Sequence, residues 1–339
     1  MSALPPGFAP VLEFLRRSGL AAPSDTPAAT ALGGGVSSDI WRVDLPGRSL
    51  CIKRALPKLK VAADWYAPTE RNAFEWKWLQ FAAQYVPQAV PQPVAHDAQA
   101  GLFAMAFLDP AQHPVWKAQL LAGQVDAATA AAVARIVVAV HNASAGNAAV
   151  AREFATRDNF YALRLEPYLV ATGRAHPDLA PQLNALAERT GAAQIALVHG
   201  DVSPKNILIG PVSPILLDAE CAWYGDPAFD VAFCLNHLLL KCLVHRELRE
   251  QYLAAFDAFA STYLAAVHWE PREAIAARAA ALLPALLLAR VDGKSPVEYL
   301  RSDADKDLVR RVARPLVATG VPTLAEVAQA WRAALAAGG

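Results

Sequence analysis

One segment breaks the pattern around it and limits what this chain can become. From Asp109 onward the sequence reads mostly as helix, yet residues 195–218, IALVHGDVSPKNILIGPVSPILLD, alternate short apolar runs with turn formers. Runs of that length are strands rather than helical turns. In this reading residues 207–209 and 215–217 pair antiparallel across the loop 210–214. That pairing sets Asn206, just before the first strand, opposite Asp218, just after the second. Asp201 lies on the loop that leaves a further short strand at 195–198. A β-hairpin is therefore embedded in a helical lobe, with polar side chains gathered at its open end.

The text before Asp109 differs. Residues 8–19 form a short amphipathic helix ending at Gly19, placed as a lid on the first lobe. Then LGGGVSSDIWRVDLPGRSLCIKRAL gives a glycine-rich turn, a strand, a Pro-Gly turn and a second strand. Residues 69–83 carry Phe74, Trp78 and Phe81 at helical spacing, with Thr69 as the expected cap. Two short strands around a turn at 97–101 complete a small sheet. Helical patterning dominates afterwards: 126–142, with Val133, Val137 and Val140 on one face, then 228–266, 271–290 and 304–336. The fold class is α+β and bilobal, a small antiparallel sheet over residues 1–108 and a larger, mainly helical lobe over 109–339.

Asn206 and Asp218 are hard oxygen donors, and Mg²⁺ is typically held by one or two such groups together with substrate phosphates. A carboxylate beside them, Asp201, can orient a hydroxyl and accept its proton during phosphoryl transfer. Taken singly, each of these residues is an ordinary loop former; their joint order is specific. The first lobe offers the complement. Gly33, Gly34 and Gly35 can present backbone N–H groups to phosphates, although no Gly-Lys-Ser/Thr follows and a flexible turn reads equally well. Alternation along 50–53 puts Leu50 and Ile52 on one face of the sheet and Cys51 and Lys53 on the other. Lys53 can meet a bound nucleotide, but only if an acid such as Glu70 or Glu75 balances its charge.

His199-Gly200-Asp201-Val202-Ser203-Pro204-Lys205-Asn206, Leu217-Asp218-Ala219-Glu220 and Gly225-Asp226-Pro227-Ala228-Phe229-Asp230 together resemble the aminoglycoside phosphotransferase and choline kinase superfamily. These are small-molecule kinases that share the protein-kinase fold. The resemblance implies that Asp201 is the catalytic base, that Asn206 and Asp218 hold Mg²⁺, and that Asp230 braces the catalytic loop. It implies Glu75, rather than Glu70, as the partner of Lys53. It also implies that residues 103–109 join the lobes, with the Ala106 carbonyl and the Leu108 N–H meeting the adenine of ATP, or of GTP in its place. Residues 63–71 and 218–225 are similar to the methylthioribose kinase family. The catalytic loop Ser203-Pro204-Lys205-Asn206 and the sequence Asp226-Pro227-Ala228 depart from that family, so its substrate is not carried over.

The acceptor is bounded by charge. The whole chain has 31 basic and 31 acidic residues, which leaves no field for nucleic acid or anionic lipid. Residues 109–339 hold 23 acids against 21 bases, not the acidic excess that a polycationic aminoglycoside favours. The expected substrate is the hydroxyl of a small sugar or amino-alcohol metabolite. The competing readings are an aminoglycoside resistance kinase and a non-catalytic, pseudokinase-like nucleotide-binding protein, the latter disfavoured because Lys53, Asp201, Asn206 and Asp218 are all present. Glu220 reads as an acceptor or metal neighbour, or equally as a structural salt bridge. Arg290 and Asp292 read as helix-end charges or as acceptor contacts. Trp116, Trp223 and His237 read as pocket lining, or core packing in the case of the tryptophans. Four cysteines without a C-x-x-C pair and an N-terminus without a signal pattern point to the cytoplasm. The apolar stretch 279–289, which contains Pro284, reads as a core helix rather than a bilayer span.

Overall fold

The computed structural model describes residues 7–33, 38–56, 58, 69–321 and 323–337. Gly34 and Gly35, expected to meet phosphates, and residues 63–68 of the stretch similar to the methylthioribose kinase family lie outside the described residues. The first lobe is a five-stranded antiparallel sheet of β1 (Ala28–Ala31), β2 (Ser38–Leu45), β3 (Arg48–Ala55), β4 (Pro93–Asp97) and β5 (Leu102–Ala106). The strands lie in the order β1-β2-β3-β5-β4. Alternation along β3 sorts its side chains onto two faces. Leu50 and Ile52 join Trp41, Val43, Leu102 and Ala104 under helix α1 (Ala9–Arg17), which contributes Val11, Phe14 and Leu15. Cys51 packs with Phe103 and Met105 on the opposite face, toward helix α2 (Arg71–Tyr85). The amphipathic α1 is thus a lid on the sheet. It stops at Gly19, whose φ of 65° suits a residue without a Cβ.

One expectation for α2 is corrected. Thr69 does not cap it: the N-cap is Glu70, with no side-chain capping bond. Its buried face carries Arg71, Glu75, Trp78, Leu79 and Ala82, while Phe74 and Phe81 are half-buried at its edge. The helix turns two charges inward because each meets a partner there, Arg71 with Glu220 and Glu75 with Lys53.

The second lobe is built around the helix Ala228–Lys241, every residue of which is buried. Helix Ala127–Ser144 is capped by the Asp126 carboxylate, which accepts from the N–H groups of Ala128 and Thr129, and it buries Val133, Val137 and Val140 as expected. The patterned stretch 228–266 is two helices, Ala228–Lys241 and Arg249–Ala266, separated by a turn. Likewise 304–336 divides into Asp303–Thr319 and Leu324–Ala337 after Gly320, at φ 74°. Helices Ala127–Ser144 and Arg272–Asp292 are long and apolar enough to span a bilayer; both contribute to the core of this lobe. The embedded hairpin pairs Ile207–Ile209 with Pro214–Leu216. Its register is Ile207 to Leu216, one residue off the expected alignment, and the N–H of Leu217 bonds the carbonyl of Asn206 at 2.9 Å. Asn206 therefore faces Leu217, with Asp218 one step further on.

Candidate active site

Strand Ala196–Val198 pairs with Trp223–Gly225 and delivers His199, Gly200 and Asp201 to the junction of the lobes. Gly200 adopts φ 79°, and a Cβ there would lie 2.8 Å from the Cys221 carbonyl oxygen, so no other residue suits this turn. The loop is clamped from below. Asp230, in the first turn of helix Ala228–Lys241, accepts from the backbone N–H groups of His199 and Gly200, each at 2.8 Å. His141 Nε2 lies 3.2 Å from the same carboxylate, and its Nδ1 is 2.7 Å from the Tyr263 hydroxyl. The His199 ring stands edge-on to Trp78 and accepts from the Asp201 N–H at 3.2 Å. Burial lowers its pKa, so it orients the loop as a neutral imidazole.

Asp201 is buried. Burial alone pushes its carboxyl up, but Arg164 at 2.8 Å and Lys205 at 3.2 Å outweigh that and hold it well below the usual range. Arg164 also donates from Nε to the Gly200 carbonyl at 2.5 Å and from Nη1 to that of Leu163 at 2.7 Å. It comes from the π-helix Tyr161–Val170, whose wide turn accommodates Pro167, a residue with no N–H to donate. Sequence reading missed Arg164. The only signal was a lone cation in the apolar run YALRLEPYLV.

Asn206 closes a 3₁₀ turn, and its Nδ2 donates to the Asp201 carbonyl at 3.2 Å, which leaves Oδ1 as the free end. Asp218 has φ 69°, the one non-glycine residue with positive φ among those described. Such a conformation in a short acid is tolerated where its surroundings fix it. One of its oxygens accepts from Lys53 Nζ at 2.6 Å. Lys53 also meets both oxygens of Glu75 at 2.7 Å, whereas Glu70 is exposed at the start of α2. Burial and the excess of negative charge around one ammonium raise Glu75 to about 7, and Lys53 is held protonated. The oxygens left over, one amide and one carboxylate, are hard donors of the kind Mg²⁺ takes. Among the described residues no trio of His, Cys, Asp or Glu forms a metal cluster.

The other expected residues divide. Ala106 ends β5, its N–H bonding Gln92 O at 2.9 Å, and Leu108 follows on the segment between the lobes. Glu220 makes a salt bridge: it pairs with the buried guanidinium of Arg71 at 2.9 Å, and its carbonyl accepts from Asn159 at 2.9 Å, while its charge also acts on Lys53 and Arg164. Arg71 was also missed. It ties α2 to the loop after Asp218 and donates to the Leu56 carbonyl at 2.6 Å. Asp292 pairs with Arg310 at 2.6 Å and His176 at 2.8 Å, while Arg290, on another side of the same helix, donates to the Tyr168 hydroxyl at 3.1 Å. The two are not brought together. Trp116 is buried, and Trp223 is stacked on Phe160 in the core.

A small twisted sheet, a joining segment and a helical lobe holding a clamped His-Gly-Asp loop above a hairpin make this a protein-kinase-like fold. Choline kinase from Cryptosporidium parvum Iowa II shares it with a TM-score of 0.57 at 12% identity, over 94% of this chain and 99% of that one. Amicoumacin kinase, solved in complex with AMP-PNP, Ca²⁺ and Ami, gives 0.55 at 15% identity, over 92% of this chain and 94% of that one. The chain belongs to the phosphotransferase enzyme family known as APH, whose model matches residues 28–260. In sequence it is similar to the methylthioribose kinase of Yersinia enterocolitica, 27% identical over 265 residues. That match covers 69% of this chain and 65%, less than two thirds, of the relative.

Proposed function

We infer that the chain is a Mg²⁺-dependent small-molecule kinase that moves the γ-phosphate of ATP to a hydroxyl, on a sugar-like or amino-alcohol metabolite rather than an aminoglycoside. The observation that carries this reading is the meeting of Lys53, held by Glu75, with Asp218 at 2.6 Å, beside a loop that also bears Asp201 and Asn206. In this account residues 1–108 take the nucleotide: Lys53 pairs its phosphates, Gly34 and Gly35 offer N–H groups to them, and Ala106 and Leu108 meet the base. Residues 109–339 supply the chemistry and the acceptor. Asn206 Oδ1 and Asp218 hold Mg²⁺, which when bound neutralises charge on the phosphates.

Asp201 accepts a hydrogen bond from the acceptor hydroxyl and points its oxygen at the phosphorus. Its depressed pKa makes it a weak base. That suits a loose transition state, in which the hydroxyl proton leaves late and positioning dominates the barrier. Lys205 and Arg164 lie on the same carboxylate and supply positive charge where the transferred group passes. Glu220 pairs with Arg71 of the first lobe and Asp292 with Arg310 and His176, so of the three expected acceptor residues Arg290, with its Nε unpaired, is the one that meets no charged partner within 4 Å among the described residues.

The test is Asp201→Asn, assayed for acceptor-dependent ADP release with ATP and Mg²⁺ against a panel of sugars and amino alcohols. Turnover falls on the order of 10²–10⁴-fold while ATP affinity stays within a few fold. Unchanged turnover removes Asp201 from the mechanism.

A further inference from the structure

Behind Asp201 the second lobe holds a group of buried polar side chains that the reaction above does not use. Lys241, at the end of helix Ala228–Lys241, has 0% relative exposure, and its Nζ has no hydrogen-bond partner. One turn earlier on the same face, the buried His237 has an unpartnered Nδ1. The Tyr299 hydroxyl and Arg290 Nε are likewise buried and unpartnered. The Lys241 ammonium lies 4.8 Å from the Tyr299 ring centroid. Neither Lys241 nor Arg290 has an ion-pair partner within 4 Å among the described residues. Glu298, the carboxylate acting on Lys241, is already bound to Lys117 at 2.6 Å.

Four buried polar atoms without a hydrogen-bond partner in one place is uncommon, because each buried donor left unpaired costs about 1–3 kcal/mol; Arg290 keeps Nε unpaired although its Nη1 also donates to the Ser295 carbonyl at 2.5 Å and to its hydroxyl at 3.0 Å. A bound ion or ligand is one way such a cluster is completed. The group is joined to the reacting centre by two side chains. Arg290 Nη1 donates to the Tyr168 hydroxyl at 3.1 Å, and the Arg164 guanidinium sits 6.0 Å from the Tyr168 ring. Arg164 in turn holds Asp201 at 2.8 Å. Phe233 packs against both Tyr168, at 5.4 Å, and His237, at 5.6 Å. The charge of Lys205, which contacts Asp201, is among those acting on His237.

We propose that Lys241, Arg290, Tyr299 and His237 form an anion subsite, so that the acceptor is a hydroxylated acid, bearing a carboxylate or a phosphate ester at the end remote from the phosphorylated hydroxyl. This rests on the kinase reading and narrows it. A guanidinium and an amine that no carboxylate meets within 4 Å among the described residues favour an anion, whose arrival would hold Lys241 protonated, and an aminoglycoside or a simple amino alcohol would bring like charge there. A guanidinium and an ammonium with a phenol between them satisfy either acid: the guanidinium fork suits a bidentate oxyanion, and Lys241 acts as a point charge.

The experiment measures the melting temperature of the full chain saturated with Mg²⁺ and AMP-PNP, in acetate, in phosphate and in chloride at equal ionic strength. Acetate or phosphate raises it by at least ~2 °C over chloride, and whichever anion does so identifies the acid class. The rise disappears in Lys241→Met and in Arg290→Gln. No rise in the parent protein, or a rise retained in both variants, overturns the proposal. Two variants guard against one that fails to fold. A second arm compares ATP turnover with glucose, glucosamine, gluconate and glucose 6-phosphate. A KM at least tenfold lower for gluconate or glucose 6-phosphate than for glucose, lost in Lys241→Met, supports the subsite. Equal or better use of glucose or glucosamine overturns it while leaving the kinase reading intact. An anion effect confined to the parent, with no turnover on either acid, overturns the claim that the anion belongs to the phosphorylated acceptor, while the kinase reading is judged separately by Asp201→Asn.

Discussion

Replacing Lys241 by methionine is expected to make the protein more stable at neutral pH. Burial, with like charge from Lys117 and Arg290 added, brings this amine from 10.5 down to about 7. Each unit corresponds to about 1.4 kcal/mol, so below pH 7 the charged lysine destabilises the native state by at most about 5 kcal/mol. Above pH 7 the folded chain releases the proton while the unfolded chain keeps it until about 10.5. The unfolded state then binds more protons, and stability rises with pH across that window. By pH 9 the remaining penalty is about 2 kcal/mol on the same scale. Methionine fills a similar volume without a charge to desolvate. Urea unfolding at pH 7, 8 and 9 is therefore expected to show the variant several kcal/mol more stable than the parent at pH 7, with the difference shrinking toward pH 10. A variant less stable than the parent at pH 7, or a difference independent of pH, would refute the reasoning.

Two further outcomes concern the loop that carries Asp201. Arg164→Met removes the cation that holds this carboxyl down, so the acid limb of the turnover–pH profile moves to higher pH; Arg164→Lys, which retains the charge, leaves that limb nearer its original position. Gly200→Ala forces a Cβ to 2.8 Å from Cys221 O and 2.9 Å from Cys221 Cβ at φ 79°, and is expected to lower stability by ~2 kcal/mol or more and to abolish turnover, both read from one purified sample.

The small sheet and the helical lobe were legible because their hydrophobic periods differ, two residues against 3.6. Lys53 was legible because alternation along β3 separates it from Leu50 and Ile52. The hairpin register was not. A tight turn, closed by the Gly210 N–H on the Ser213 carbonyl at 3.2 Å, lets Pro214 begin the return strand, and that slides Asp218 past Asn206. Apolar runs mark where strands lie but do not say which residue starts one, and a proline at the first strand position is permitted. Arg71 and Arg164 escaped notice for another reason. An inward-facing cation is distinguished by its partner, and here the partners, Glu220 and Asp201, are 149 and 37 positions away. The unpartnered cluster at Lys241 is invisible in sequence for the same reason: Lys241, Arg290 and Tyr299 come from separate segments, and none announces that it lacks a counter-charge.

In the proposed mechanism Asn206 and Asp218 share one divalent ion with a bound nucleotide beside Asp201. Mn²⁺ titration with AMP-PNP, followed by the loss of the free-ion paramagnetic resonance signal, reads this without reference to turnover. The parent and Asp201→Asn are expected to bind one nucleotide-dependent Mn²⁺ with similar affinity, while Asp218→Asn and Asn206→Ala weaken it tenfold or more. Equal Mn²⁺ binding in the parent, Asp218→Asn and Asn206→Ala would contradict the account.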